Sequence, residues 1–476
     1  MTATETRPSK AAPLVSLTTT AMWLILGLVL LADALDMIDS TVTNIAAPSI
    51  VNDLGGGETL IKWLGSAYSL AMGLLLVVGG RLGDRFGRRR LFLIGMSGFT
   101  LASALAGLAP DPALLIVARA VQGAFGALLI PQGMAIMTRS FSREMLSKAF
   151  GLFGPLLGIA SVGGPVLAGF LIDADLAGLS WRPVFLVNIL LGTVGVAAAA
   201  RFLPPDEGDR SVVVDGRGAG LLGVAMLGLM FGLIEGSTGD WNLLSLASMA
   251  VGLVFLLLFA RRQRSASSPL IKPSLFANRG FSSGLVVGLM FFAVTSGLIY
   301  VFSLFLQQAL HRSPGDTALG MLPITLGIIG GAVVGMGVGK RLGRALIGYG
   351  MVVTLAGAGW LLALVATHGT DVGLWALAPA GFVTGLGMGA CYGTIFDIAV
   401  GDIEPDEAGS AGGTLTAVQQ VAAGIGSATV TTVYFHGGAP AHAMTVTVIV
   451  VMAVTALCLP LVRLLPKHAP AETHHG

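Results

Sequence analysis

The sequence predicts an all-α integral membrane protein with fourteen transmembrane helices. Apolar residues make up 54% of its 476 residues and charged residues only 11%, whereas soluble proteins carry about 25% charged residues. Apolar stretches of about 20 residues, the length that crosses a bilayer as a helix, recur between short polar breaks. The predicted spans are 21–50, 60–81, 91–109, 113–138, 146–172, 181–203, 217–235, 242–262, 280–309, 316–339, 344–367, 373–398, 407–435 and 440–465.

The basic residues predict the orientation of these helices. An even number of spans places both termini on the same side of the membrane. If that side is cytoplasmic, 23 of the 27 Lys and Arg residues belong to inner loops and tails, three (Lys62, Arg182 and Arg312) belong to outer loops, and Arg119 lies within a span. This asymmetry follows the positive-inside rule. We therefore expect a multi-pass protein of a bacterial inner (cytoplasmic) membrane with both termini cytoplasmic.

Two long inner segments indicate how the chain is divided. The segments 201–216 and 261–279 enclose a helix pair, 217–262, which we interpret as an insertion between two six-helix halves. Inverted three-helix repeats are expected within each half, with the substrate site between the halves near the membrane midplane. The predicted divisions are an N-terminal tail at 1–20, a six-helix bundle at 21–203, the inserted pair with its linkers at 204–279, a second six-helix bundle at 280–465 and a C-terminal tail at 466–476.

The first predicted span carries three acids. At about 100° per residue, Asp33, Asp36 and Asn44 share one helix face, and Asp39 lies at the edge of that face. An acid that faces lipid costs roughly 2.5 kcal/mol or more, so this face is expected to line protein or a water-filled cavity. Three carboxylates within two turns repel one another when ionised. We interpret the stripe as a proton-binding or cation-binding site; a polar vestibule, or acids paired with basic side chains, is the structural alternative.

The fourth predicted span contains one basic residue, Arg119, with Gln122 one turn away on the same side. A guanidinium inside an apolar helix needs a counter-charge or hydrogen-bond acceptors. The sequence does not say which of Asp33, Asp36 and Asp39 it approaches. A purely structural ion pair or carbonyl contact is the alternative to a functional role.

Four stretches resemble motifs of the major facilitator superfamily. They are GRLGDRFGRRR after the second span, ARAVQGAFGALLIPQG in the fourth, GPLLGIASVGGPVLAGF in the fifth and IDSTVTNIAAP at the end of the first. The last of these resembles the signature of the fourteen-span drug/proton antiporters. Four further stretches also resemble this branch, so the resemblance extends over nearly the whole chain: WLGSAYSL at 63–70, WRPVFLVN at 181–188, LFANRGF at 275–281 and EAGSAGGTLTAVQQVAAGIG at 407–426. The resemblance implies the major facilitator fold, with two six-helix bundles plus an inserted helix pair.

The resemblance also implies roles for individual residues. Proton coupling is implied for Arg119 and Asp39, with Asp36 and Asp33 as additional acids. Gating or conformational roles are implied for Gly80, Asp84, Arg85, Gly87, Arg88, Gly164, Pro165 and Gly169. The substrate-binding candidates are polar or aromatic residues within the spans, namely Asn44, Tyr68, Gln122, Tyr300, Gln307, Tyr392 and Asp397. Taken alone, each of these is more often a packing residue, and a solvated helix end explains Asp397 equally well.

The sequence contains no G-x-x-x-x-G-K-[ST] loop, no H-E-x-x-H and no paired C-x-x-C. We therefore expect a protein that is not an enzyme, uses no cofactor, metal or nucleotide, and is driven by the proton motive force. The expected function is proton-coupled export of drugs or other small amphipathic or cationic molecules. The expected partners of the monomer are substrate, protons and membrane lipids, with no nucleic acid. The alternatives are a narrow exporter of one natural product (a self-resistance antibiotic, a siderophore or a lipid) and a non-transporting sensor with the transporter fold.

Overall fold

A computed structural model describes residues 18–238, 241–401, 403 and 405–467, which form an all-helical protein. Fourteen of its helices contain at least 20 residues, and one, α9, is a single short turn. The helices are α1 (Thr19–Leu54), α2 (Gly57–Phe86), α3 (Arg88–Gly107), α4 (Pro112–Ser140), α5 (Arg143–Asp173), α6 (Pro183–Phe202), α7 (Gly216–Thr238), α8 (Leu243–Ser265), α9 (Pro273–Ala277), α10 (Arg279–Leu304), α11 (Pro314–Leu342), α12 (Arg344–His368), α13 (Ala378–Gly401), α14 (Pro405–His436) and α15 (Pro440–Leu461).

Twelve helices among the described residues are long and apolar enough to cross a membrane, so the chain is a multi-pass membrane protein. These twelve include every long helix except α5 and α14, and α5 contributes a shorter apolar stretch, Val162–Asp173. Each predicted span coincides with a long helix, but the count of fourteen membrane crossings stays a prediction. Of the two predicted tails, residues 1–17 and 468–476 lie outside the described residues.

Side-chain caps and glycines mark where helices begin and end. Asp111 caps α4 by accepting a hydrogen bond from the backbone N–H of Leu114 at 3.0 Å, and Asn278 caps α10 through the N–H of Phe281 at 3.1 Å. Gly87 alone connects α2 to α3, and its φ of +93° lies in the region that favours glycine. These residues mark helix boundaries that can be read in the sequence.

The first helix occupies a central position. It packs against α4, α5 and α6, and it also contacts α10 and α11 further along the chain. Hydrogen bonds join α1 and α2 to α10 at the end of the molecule where α1 ends and α2 begins. The Tyr300 hydroxyl donates to the carbonyl oxygen of Ile61, and Ser303 Oγ donates to that of Asn44, both at 2.7 Å. These contacts close that end of the molecule.

Lys62 does not lie in an outer loop, so its sequence-based placement is wrong. It belongs to the second turn of α2, and its side chain is fully buried. Its ammonium lies 4.0 Å from the carboxylate of Glu58 and 6.0 Å from the ring centroid of Phe435 on α14. The charge count assigned Lys62 to the loop although it lies within the predicted span 60–81. Glu58 and the aromatic face of Phe435 accommodate the buried cation.

The helix pair α7–α8 is tightly packed and is attached to the rest of the molecule through α2 and α14. A Cβ added at Gly228 of α7 would lie 2.7 Å from the carbonyl oxygen of Ser248 on α8, so the two backbones are in close contact. Asp215, just before α7, pairs with Arg262 near the end of α8 at 2.6 Å. This ion pair ties together the two ends of the pair that lie furthest from its connecting turn.

Glycines bring α11 and α13 into direct backbone contact. A Cβ added at Gly385 would lie 2.0 Å from the carbonyl oxygen of Ile324, and one at Gly389 would lie 1.9 Å from that of Ile328. Small residues at these positions let two helices approach closely where lipid supplies no hydrophobic driving force.

The Gly389→Leu variant should therefore be less stable, because a side chain without room in a packed interface costs about 1–3 kcal/mol. Gly393→Leu is the matched control, since it lies one turn later on α13 and nothing is within 4 Å of a Cβ added there. Thermal unfolding of the detergent-solubilised proteins, followed by size-exclusion chromatography, should show a lower melting temperature for Gly389→Leu alone. Equal melting temperatures for the two variants would contradict the close α11–α13 contact.

Candidate functional site

A buried ion pair between Asp39 on α1 and Arg119 on α4 lies at the centre of the candidate site. The two side chains are 0% and 1% exposed. The Asp39 carboxylate also accepts hydrogen bonds from Nε2 of Gln122 and Nδ2 of Asn188, both at 2.8 Å. Three donors from α4 and α6 therefore surround one carboxylate, and such charge-assisted hydrogen bonds offset the cost of burying it.

Ser103 on α3 completes this network. Its hydroxyl oxygen accepts from Gln122 at 3.1 Å and from Asn188 at 2.9 Å, and its own hydrogen is donated to the carbonyl oxygen of Phe185 at 3.1 Å. The position of the central carboxylate therefore depends on how α1, α3, α4 and α6 pack together.

Two aromatic rings enclose the guanidinium of Arg119. Its Cζ lies 4.5 Å from the ring centroid of Tyr68 and 5.4 Å from that of Phe185, which is the geometry of cation–π contacts. The Tyr68 hydroxyl donates a hydrogen bond to the carboxylate of Asp36. Gly123 permits this approach, since a Cβ there would lie 2.2 Å from the Tyr68 carbonyl oxygen. Tyr68 thus connects the ion pair to the second acid of α1.

The three acids of α1 differ in their access to solvent. Asp39 is fully buried, Asp36 is 8% exposed and Asp33 is only partly buried. Each follows the previous one by three residues, about 4.5 Å along the helix, so they form a row from an accessible position to a sealed one.

Among the described residues, no group of three or more His, Cys, Asp and Glu side chains is placed to hold a metal ion.

Three of the substrate-binding candidates belong to the closed end and not to the acid network. Tyr300 is buried there, and its hydroxyl donates a hydrogen bond to the backbone carbonyl of Ile61 on α2. The backbone carbonyl of Asn44 accepts a hydrogen bond from Ser303 on α10. Gln307 lies in a π-helical turn, Phe305–Ala309, and its Nε2 donates to the carbonyl oxygen of Ile45 at 3.1 Å. All three therefore lie where α1, α2 and α10 meet.

Tyr392 and Asp397 lie on α13. The Tyr392 ring centroid is 4.9 Å from that of Phe292 and 6.0 Å from that of Phe291, and its hydroxyl is 3.2 Å from the hydroxyl of Thr295. Asp397 is exposed and makes no ion pair with any described residue. The structure thus gives an aromatic cluster and an accessible acid on the same helix, apart from the first-helix acids.

The loop motif between α2 and α3 forms a polar latch. Arg88 pairs with Asp84 and, at 3.4 Å, with Asp206 in the segment after α6. A Cβ at Gly87 would lie 2.1 Å from the Asp206 carbonyl oxygen, so only glycine fits. Partial burial opposes ionisation of Asp206, but hydrogen bonds from the backbone N–H groups of Arg88 and Gly208, with the Arg88 charge, hold its pKa below the ordinary value.

The other residues of the latch make weaker contacts. Arg85 donates to the carbonyl oxygen of Val212 at 3.1 Å, which adds a second attachment of the α6–α7 segment. A Cβ at Gly80 would meet Pro131 at 3.7 Å, an ordinary packing distance. The structure therefore shows no steric requirement for glycine at position 80.

The motif in α5 positions that helix between α1 and α11. A Cβ at Gly164 would lie 2.2 Å from the hydroxyl oxygen of Thr41 on α1, and one at Gly169 would lie 2.8 Å from the carbonyl oxygen of Pro314 on α11. Pro165 is buried within the helix. The two glycines thus allow α5 to contact helices from early and late parts of the chain.

Sequence reasoning missed Ser103, Asn188 and Asp206 as members of these sites. Asn188 and Ser103 are polar residues within apolar spans, and a buried polar group needs a partner, so each carried a signal. Asp206 carried none, because an acid in a polar segment between helices is ordinarily solvated and does not by itself indicate a partner.

The sequence matches that of known transport proteins. Residues 29–427 match the sequence profile of the Major Facilitator Superfamily. A probable actinorhodin transporter of Streptomyces coelicolor is 40% identical over 418 residues, which cover 87% of this chain and 72% of that protein. The tetracenomycin C resistance and export protein of Streptomyces glaucescens is 31% identical over 396 residues, 82% of this chain and 72% of the relative. The multidrug efflux pump LfrA of Mycolicibacterium smegmatis is 30% identical over 425 residues, which cover 89% of this chain and 82% of that protein.

Solved structures share the fold at low sequence identity. The crystal structure of a mutant of the peptide transporter POT superposes with a TM-score of 0.64 over 93% of this chain and 95% of that chain, at 16% identity. At such identity the likeness concerns the fold alone. Sequence and fold together show that this chain belongs to the major facilitator superfamily.

Proposed function

We propose that this protein is a proton-coupled antiporter that exports drugs or other small amphipathic or cationic molecules by alternating access. The observation that carries the proposal is the Asp39–Arg119 pair, sealed within membrane-spanning helices and connected to two further acids on α1. Ionisable groups inside a membrane are expensive and are typical of proton and substrate pathways. Relatives named for antibiotic export and multidrug efflux support outward transport of small molecules.

In the proposed cycle, the acids of α1 carry the proton. Asp33 and Asp36 are less buried than Asp39 and exchange protons with the aqueous pathway expected between the two halves. The Tyr68 hydroxyl relays the change in charge towards Arg119. Ionised acids attract a cationic or amphipathic substrate, and proton binding from outside removes that attraction. One charge crossing about 100 mV supplies roughly 2.3 kcal/mol before any pH gradient is added.

Arg119 gives the cycle two distinct arrangements. With Asp39 ionised, the guanidinium is held by its counter-charge and by Gln122 Oε1 at 2.8 Å. With Asp39 protonated, the attraction weakens and the guanidinium depends on Gln122 and the faces of Tyr68 and Phe185. A group with two arrangements can bias the equilibrium between two conformations of the transporter.

We further propose that the described conformation is open to the cytoplasm. The positive-inside distribution assigns the end where α1 ends to the outside, and that end is closed by the α10 hydrogen bonds. In this topology α5 and α14 are the remaining two of fourteen spans, and α7–α8 is inserted between bundles at 21–203 and 280–465. Both termini are cytoplasmic and the transporter acts as a monomer in the inner membrane.

Substrate contacts are proposed on α13 and where α1, α2 and α10 meet. Tyr392 offers an aromatic face and Asp397 a negative charge to an incoming cation. Asn44, Tyr300 and Gln307 join the pathway when the outer end opens and their hydrogen bonds break.

Export of one natural product is the second candidate. The 40% identity to the probable actinorhodin transporter favours it. A protein of this kind would move protons only in response to its own substrate, so a panel of lipophilic cations distinguishes the two candidates.

The Asp39→Asn variant should lose substrate-driven proton movement. In everted vesicles with an acid interior, adding a lipophilic cation should collapse the pH gradient, read with a pH-sensitive dye, for the wild-type protein. Asp39→Asn should leave the gradient intact, because a neutral amide cannot cycle a proton. Asp53→Asn is the control on the same helix, since Asp53 is 41% exposed and pairs with Arg182 outside the network. An active Asp39→Asn variant would move the coupling site to Asp36 or Asp33.

The Asn188→Ala variant should transport more slowly while remaining folded. It removes a donor to the Asp39 carboxylate, and a hydrogen bond to a charged group contributes about 1.5–3 kcal/mol, so the rate should fall by about tenfold to a hundredfold. Leu190→Ala is the control, because that side chain lies on the same helix and is 68% exposed. The initial rate of dye response at saturating cation is the measurement, and equal rates for both variants would contradict a positioning role for Asn188.

A further inference from the structure

The segments on either side of the helix pair α7–α8 are hydrogen-bonded to α2. Before α7, Arg85 of α2 donates to the carbonyl oxygen of Val212 at 3.1 Å. After α8, Arg81 of α2 donates to Ser268 Oγ and to the carbonyl oxygen of Pro269, both at 3.0 Å. The chain therefore enters and leaves the pair at the same end of α2, which belongs to the first bundle (α1–α6).

An apolar gap of about 270 Å³ separates this half of the pair from the second bundle (α10–α15). Met226 of α7 and Phe259 of α8 line one side of the gap, and Leu285 and Leu289 of α10 line the other. Phe259 is buried in one apolar cluster with Val78 of α2. This is the proposed cytoplasmic side, which is open, so the pair lies with α2 where the two bundles have parted.

At the other end of the pair, α7 contacts both bundles. Met230 of α7 lies in one buried cluster with Leu70 of α2 and Ala428 of α14. The two bundles meet there, because the Ser66 hydroxyl of α2 is hydrogen-bonded to the carbonyl oxygen of Gly424 on α14 at 2.9 Å. Alternating access moves one bundle against the other, so opening this proposed outer side separates α2 from α14. The helix α7 then has to leave one of them.

The buried charge of Lys62 favours α2. Its ammonium lies 4.0 Å from the carboxylate of Glu58 on α2, and the negative charge of Glu235 on α7 also acts on it. The helix α14 carries no Asp or Glu at 408–435 and contributes the ring of Phe435, whose centroid is 6.0 Å away. Separating a buried charge from its counter-charge costs more than losing a cation–π contact. The attraction between Lys62 and Glu235 thus keeps α7 on α2.

The linker after α8 shows where the two moving bodies meet. Leu270 is buried in the same apolar cluster as Val78 of α2. Two residues later, Lys272 pairs with Glu407 near the start of α14 at 3.0 Å. The chain therefore passes from the first bundle to the second at 270–272, after the helix pair and not before it.

We propose that α7–α8 is a fixed part of the first bundle, held to α2 at the outer side by Lys62 and Glu235, and that it parts from α14 when that side opens. The helix pair is then neither a spacer between the bundles nor a third moving body. Its contacts with α14 break once in each transport cycle, and its contacts with α2 are kept. This inference rests on the alternating access of the proposed function.

Crosslinking at the outer side tests which contacts have to break. In the full-length protein, Cys391 and Cys458 are first replaced by alanine. Three cysteine pairs are then introduced, each joined by a short bis-methanethiosulfonate: Leu70→Cys/Met230→Cys for α2–α7, Met230→Cys/Ala428→Cys for α7–α14 and Ser66→Cys/Ser427→Cys for α2–α14. The first two pairs share one cysteine and come from one buried cluster, so they are matched controls for each other. In the third, the two serine Oγ atoms are 3.1 Å apart.

The α2–α7 crosslink should leave substrate-driven proton movement in everted vesicles unchanged. The α7–α14 and α2–α14 crosslinks should each reduce it at least tenfold, and reduction of the crosslink should restore it. Arrest by the α2–α7 crosslink, or unimpaired proton movement with the α7–α14 crosslink, would overturn the proposal.

The yield of each crosslink is a readout that needs no transport. The background Tyr300→Phe/Ser303→Ala removes two hydrogen bonds of the closed end, so the closed state is less populated. The yields of the α7–α14 and α2–α14 crosslinks should fall together several-fold, and that of the α2–α7 crosslink should stay constant. An α7–α14 yield that is kept while the α2–α14 yield falls, or three unchanged yields, would overturn the proposal. The expected yields without proton movement in the reduced proteins would count against the proposed function alone.

A charge variant tests the role of Lys62. In the same background, Glu235→Gln should lower the yield of the α2–α7 crosslink several-fold, because α7 loses its attraction to Lys62. Glu58→Gln is the control, since it removes an acid of α2 and leaves the attraction between α2 and α7 in place. Equal yields in the two variants would contradict the assignment of this attraction to Lys62 and Glu235.

Discussion

The ion pair between Asp39 and Arg119 is the interaction on which the rest of the structure depends. Both groups lie within membrane-spanning helices and are almost completely buried, where an unpaired charge would be costly. Removing one partner of a buried pair typically costs about 3–5 kcal/mol, because the other charge is left uncompensated. Gln122, Asn188 and Ser103 supply the hydrogen bonds that make the burial tolerable; Gln122 lies on α4 beside Arg119, and the other two come from α6 and α3. The packing of this part of the molecule is thereby tied to a charge state.

The first helix links that charge state to the closure of the molecule. Asn44, whose carbonyl oxygen accepts a hydrogen bond from α10, follows Asp39 by five residues, about 7.5 Å along the same helix. A rotation or shift of α1 that accompanies a change in the charge of Asp39 therefore also moves Asn44 and its hydrogen bond at the closed end. Gly164 allows α5 to pack closely against this part of α1. Because α5 also contacts α11, it takes part in the same movement. In the proposed antiport cycle, α1 connects the charge state of Asp39 to the closure of that end.

Much of this architecture could be predicted from the sequence, because its causes are local. Apolar stretches of membrane-spanning length gave the helices, and the glycine-rich loop motif gave the turn at Gly87. Helical spacing placed the acids of α1 in a row. The partner of Arg119 could not be predicted, because three acids at similar spacing were available and only tertiary packing decides among them. The burial of Lys62 could not be predicted either, because a basic residue near a span end is buried only when tertiary packing brings an acid and an aromatic ring beside it.

Asn188 and Ser103 illustrate why the remaining contacts of the site could not be predicted from the sequence. Each is one polar residue in an apolar span, and the sequence signals only that some partner must exist. The structure identifies the partner of Asn188 as the Asp39 carboxylate, 149 residues away in the chain. The hydroxyl oxygen of Ser103 instead accepts from the side-chain amides of Gln122 and Asn188. The latch has the same origin, because Arg88 and Asp206 meet only after α3 to α6 have packed.

A double-mutant cycle on Asp39→Asn and Arg119→Gln tests the central claim most directly. Thermal unfolding and substrate-driven proton movement are measured for both single variants and for the combined one. If the buried pair organises the site, each single variant is destabilised, and the combined neutral variant recovers most of the lost stability without recovering proton movement. Additive losses of stability in the combined variant, or proton movement that survives without both charges, would contradict the account.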